Sequence, residues 1–120
     1  MDASTRAAVA AIAVAISSGQ PVRTIYDYGA GRHVMLSGSA SSSRVNAYLH
    51  DRSCHLSGSG SGNKWSLYQF GDGHHVELTR KDDSRWSGYD YGAGRHYELT
   101  VRGKSVSVYD HATSSSHQYG

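Results

Sequence analysis

The chain has 120 residues, a net charge of +2, nine tyrosines, eight histidines, fourteen glycines and one proline. That length suits a single domain, residues 1–120, able to bury roughly two thirds of its unfolded surface, and the lone cysteine, Cys54, excludes an intramolecular disulfide scaffold. Its basic residues are scattered, which argues against a dedicated nucleic-acid binder.

The chain opens on an apolar run, Ala7 to Ile16. It is too short for a transmembrane span, which needs about twenty residues. The first six residues lack the net positive charge of a signal peptide. The reading is a short buried helix over residues 4–17, with Ser4 or Thr5 as N-cap and with Gly19 and Pro21 as its stop. Compartment stays open: cytoplasmic by default, secreted if residues 1–18 are a signal peptide.

From residue 22 to 120 a segment of about 21 residues repeats nearly five times, each copy centred on a tyrosine. The clearest copies run Thr24 to His33, Ser66 to His75 and Ser87 to His96. Weaker ones centre on Tyr48, ending at His55, and on Tyr109, where the histidine slips one place to His117. Trp65 and Leu67, or Val106 and Val108, alternate with small polar residues and the tyrosine, as on a half-buried strand. After a four-residue Gly-x-Gly-x turn, Val76 and Leu78, or Tyr97 and Leu99, alternate with His75, Glu77, His96 and Glu98. Each repeat is therefore a hairpin.

A four-residue loop of that phase pairs Tyr28 with His33, His50 with His55, Phe70 with His75 and Tyr91 with His96, and sets Tyr68 against Glu77 and Tyr89 against Glu98. The Ser/Gly runs Ser37 to Ser43 and Ser57 to Gly62 read as loops. The fold class is mainly β: an antiparallel meander of eight to ten strands in about five β-hairpin repeats. It forms a curved sheet or closed barrel, with the N-terminal α-helix packed on its apolar face. Free edges at either end of an open sheet would promote homo-oligomers.

The functional expectation is a non-catalytic binding or structural module presenting a Tyr/His/Glu face to a glycan or protein partner, with no cofactor. The candidate ligand-binding residues are Tyr26, Tyr28 and His33; Tyr68, Phe70, His75 and Glu77; and Tyr89, Tyr91, His96 and Glu98. Amphipathic rings make good contact surfaces, although tyrosine ladders also stabilise sheets without a partner. Arg32, His74 and Arg95 at the turn tips form a weak candidate anion edge. The alternative is a small enzyme or metal-binding protein using the His/Glu pair of one repeat. Against it, repeat-related histidines in an open sheet lie two strands apart, about 9.5 Å, too far to share a zinc ion. Recurrence of the same residues also fits a structural motif better than one asymmetric active site.

Overall fold

The computed structural model describes residues 1–120. Helix α1 (Ala3–Ser18) is followed by eleven strands: β1 (Ile25–Asp27), β2 (Arg32–Val34), β3 (Leu36–Ala40), β4 (Arg44–Leu49), β5 (Cys54–Ser61), β6 (Lys64–Gln69), β7 (His74–Arg80), β8 (Arg85–Asp90), β9 (Arg95–Arg102), β10 (Ser105–Asp110) and β11 (Ser115–Tyr119). All pairings are antiparallel, in the order β2-β1-β11-β10-β9-β8-β7-β6-β5-β4-β3. The two strands at the ends of that order, β2 and β3, are separated in the chain only by Met35. The sheet is thus a nearly closed barrel.

The first and last strands, expected as the free edges of an open sheet, pair with each other, and the edges fall at β2 and β3 instead. β1 bonds to β11 through Asp27 and Tyr119, and Tyr26 and Gly120 exchange both backbone hydrogen bonds.

Alternation along the strands sends Val34, Leu49, Leu56, Leu67, Val76, Leu78, Leu99 and Val108 inward, where they are fully buried. Ser, Thr, His and Glu face outward, the reverse of a lipid-facing barrel. No helix is long and apolar enough to cross a membrane.

The helix packs against this apolar lining, and it does so from within. Ala7, Ala8, Val9, Ala10, Ile12 and Ala13 have no exposed surface, and residues that span nearly two turns point in every direction around the axis. Only an enclosed helix buries all of them. Alanine makes this feasible, because a helix with methyl side chains is slim enough for the lumen.

Its N-cap is Asp2, whose carboxylate accepts from the Thr5 amide at 3.0 Å and the Thr5 hydroxyl at 2.8 Å, so neither Ser4 nor Thr5 takes that position. Those residues instead reach the barrel wall. The Ser4 hydroxyl donates to Asp51 at 2.9 Å, and the Gln69 amide donates to the Thr5 hydroxyl at 2.8 Å. Gly19 ends the helix in the left-handed conformation (φ 67°).

Both Ser/Gly runs expected as loops contain strand: β3 covers Leu36–Ala40, and β5 extends to Ser61. Gly60 pairs with Trp65, and a Cβ there would lie 2.5 Å from the indole. Glycine in this strand makes room for a large inward side chain. Trp65 stacks on Trp86 at 5.5 Å between ring centroids, closing the lumen toward the connections between hairpins.

Candidate functional site

The hairpins pair Tyr26 with His33, Tyr48 with His55, Tyr68 with His75 and Tyr89 with His96. This corrects the expected partners Tyr28, His50, Phe70 and Tyr91, which sit in the loops, because the turn begins one residue earlier. The left-handed residues are Gly31, Gly73 and Gly94, with Ser53 and Ser114 standing in the other two loops. Glu77 and Glu98 also change partners. Inside their own hairpins they face Ser66 and Ser87; across to the next hairpin they face Tyr89 and Tyr109.

Each hairpin carries a small aromatic cluster on the outer wall. Tyr26 meets Tyr28 and His33 edge-on, each at 4.9 Å. Tyr68 does the same with Phe70 and His75, each at 4.9 Å. Tyr89 meets Tyr91 at 4.8 Å and His96 at 4.7 Å. The copies weaker in sequence keep the geometry: Tyr48 with His50 and His55 at 4.8 and 4.9 Å, and Tyr109 with His111 at 4.9 Å.

The strand tyrosines are half-buried by these neighbours, except Tyr109 at 37 % exposure. The loop aromatics are open: Tyr28 is 63 % exposed, Phe70 59 % and Tyr91 54 %. They form a crown on the hairpin-loop rim.

The crown is not uniform. The Tyr91 hydroxyl leans over β7 and donates to Glu77 at 3.0 Å, which raises the phenol pKa, and its ring lies 6.5 Å from His75. The equivalent space over β9 is a groove of about 550 Å³ lined by Lys81, Ser87, Arg95, His96, Glu98 and His111. Glu98 lies 3.7 Å from His111 there.

Of the three turn-tip cations, two already meet carboxylates, and the third, Arg95, lines the groove over β9. Arg32 lies 3.5 Å from Asp51, and His74 sits between Asp72 at 3.6 Å and Asp90 at 3.3 Å. Arg52, a residue the sequence reading passed over, bridges Asp2 and Asp72, and its hydrogen bond holds the Asp72 carboxyl down at about 2.

Below the crown, on the inner side, lie polar residues that the repeat pattern left unnoticed. Asp27, Gln69, Asp90 and Asp110 are buried, and their side chains accept backbone amides of the following loops at 2.8–3.1 Å. The signal was present: each follows the tyrosine by one residue and so falls on the apolar parity of its strand. Arg6 enters from the helix, 3.1 Å from Asp110, and donates to the Tyr119 hydroxyl at 3.0 Å. The Met1 amine lies 3.3 Å from Asp90 and 3.4 Å from Asp110.

The slipped histidine behaves differently from the rest. His117 pairs with inward-facing Val108, so one residue of slip turns it toward the interior, and burial lowers its pKa. His50, His55 and Cys54 do not converge with His74, and no three His, Cys, Asp or Glu side chains come together in a metal-holding group. Comparison with protein-family models, curated proteins and solved structures finds no match to this chain.

Proposed function

We propose that the outer wall is a non-catalytic binding surface, built from the repeated Tyr/His/Glu clusters, whose partner is a glycan. The observation that carries this reading is the crown. Tyr28, Phe70 and Tyr91 are more than half exposed, and each is held edge-on by a strand tyrosine that lies on the opposite side of the sheet from the apolar core. Rings fixed before contact lose little entropy on binding. Sugar rings stack on such faces while His96, Glu98 and Ser87 offer hydrogen bonds to hydroxyls. The tyrosine-rich rim with flanking arginines also has the composition of protein-interface hot spots, which makes a protein partner the second reading.

The test is retardation of the protein in native gels cast with hydroxyethylcellulose, xylan or polygalacturonate. Retardation by at least one, abolished in Tyr28→Ser/Phe70→Ser/Tyr91→Ser, is the expected result. Retardation that survives the triple substitution rejects this face, and silence on all three matrices rejects them as partners and turns the search to proteins.

A further inference from the structure

The spaces over β7 and over β9 differ by one ring. Two residues past the strand tyrosine of β8 stands Tyr91, whose hydroxyl reaches Glu77 at 3.0 Å and covers β7. Two residues past the strand tyrosine of β10 stands His111, whose shorter side chain comes within 3.7 Å of Glu98 and leaves a groove of about 550 Å³ open beside it. That volume falls within the ~300–1,000 Å³ of small-molecule sites. Both ends of the groove carry an unpaired cation. Arg95, at the crown end, has no carboxylate within ion-pairing distance, whereas its counterparts in other repeats do: Arg32 lies 3.5 Å from Asp51, and His74 sits between Asp72 and Asp90. Lys81, at the other end, is also unpaired, because the two carboxylates that follow it meet arginines: Asp82 is 2.7 Å from Arg85, and Asp83 is 4.0 Å from Arg80. The Lys81 amide bonds to the Arg85 carbonyl, and Arg85 pairs with Thr100. Five residue steps of β9 therefore separate the Lys81 backbone from that of Arg95, about 17 Å of strand. Ser87 and Glu98 lie between them, directly paired across β8 and β9.

We infer that this groove takes an acidic polysaccharide, a linear chain of uronate rings that sets one carboxylate on Arg95 and another on Lys81. The ring between them turns its carboxylate to solvent and its hydroxyls to Glu98 and Ser87. The inference rests on the reading of the outer wall as a glycan-binding surface and narrows the partner to one that carries carboxylates. A single carboxylate cannot meet two cations so far apart, and a chain that repeats the charge can. The guanidinium holds a carboxylate through two parallel hydrogen bonds, and the ammonium adds a point charge. Two permanent positive charges against one negative leave the groove cationic before either histidine is protonated. Glu98 selects a sugar at the centre, since an ionised carboxylate only accepts hydrogen bonds and a hydroxyl can donate one.

The test is calorimetric titration of the full chain with trigalacturonate, with its methyl ester and with galacturonate as controls. Trigalacturonate is expected to bind at least tenfold tighter than either. Lys81→Ser/Arg95→Ser, both at exposed positions, is expected to weaken it at least tenfold, while Arg44→Ser/Lys64→Ser, which removes the same charge at exposed positions elsewhere on the wall, leaves it unchanged. His111→Tyr copies the cover found over β7 and is expected to weaken trigalacturonate at least tenfold with an unchanged unfolding curve. Equal affinity for the methyl ester, equal losses in the two double substitutions, or full binding by His111→Tyr overturns the inference. Retardation in hydroxyethylcellulose gels without binding of trigalacturonate overturns the acidic ligand and leaves the glycan reading standing. No response to trigalacturonate or to any of the gel matrices overturns both.

Discussion

Arg6→Met tests whether the helix is anchored in the barrel by a buried charge. Arg6 is 8 % exposed and Asp110 is 1 % exposed, with 3.1 Å between guanidinium and carboxylate. Methionine keeps most of the apolar length and removes the charge, leaving a buried carboxylate short of its partner. Such breaks cost about 3–5 kcal/mol, and losing the donor to the Tyr119 hydroxyl adds about 1 kcal/mol. The Met1 amine, 3.4 Å from Asp110, stays and offsets part of this, so a net loss of about 3 kcal/mol is expected.

With an unfolding entropy of about 2.1 cal/mol/K per residue, that loss lowers Tm by about 12 °C for this chain. Urea unfolding of Arg6→Met, Asp110→Asn and the double variant gives the cycle. Asparagine removes the orphaned charge and can still accept the Ala112 amide, so the double variant should be more stable than Arg6→Met alone. The reasoning fails if Arg6→Met costs under about 1 kcal/mol, or if the two substitutions simply add.

Gly88→Ala places a Cβ 2.2 Å from Tyr97 Cζ and 2.3 Å from the Glu77 carbonyl oxygen, and overpacking of this kind should cost about 3 kcal/mol, read by denaturant midpoint. Tyr28→Ser/Phe70→Ser/Tyr91→Ser breaks three edge-on contacts to the strand tyrosines and should cost about 1.5–4.5 kcal/mol, whereas Tyr26→Ser/Tyr68→Ser/Tyr89→Ser breaks those three and three more to histidines and should cost more, each aromatic pair contributing about 0.5–1.5 kcal/mol. Equal losses in the two triples would show that bracing adds nothing. For pH, burial holds His117 below its usual 6.5, so the unfolded chain takes up the proton first; its contribution is full above that value and is lost as pH falls through and below it. Asp72, with its pKa down from 3.8 to about 2, contributes above the first value and loses it toward the second. Both make stability fall with acidification, and His117→Gln should flatten the step that begins at about 6.5 and runs below it, while Asp72→Asn flattens the acid step.

The grouping of the tyrosines on one face, opposite the apolar one, was legible despite a wrong register, whereas alternation alone left open which face a closed barrel turns outward. Moving His33 from Tyr28 to Tyr26 shifts the pairing by two residues, and two residues preserve the face in a structure whose side chains alternate with period two. A one-residue error would have inverted the site, as His117 demonstrates within the chain itself. The Ser/Gly runs misled because composition alone reads as loop. What the strands need there is absence of side chain, so that Trp65 can fill the lumen beside Gly60. The enclosed helix was legible only in part: an alanine run indicates close approach, but whether sheet surrounds it depends on the β1–β11 seam, a contact between distant ends of the chain.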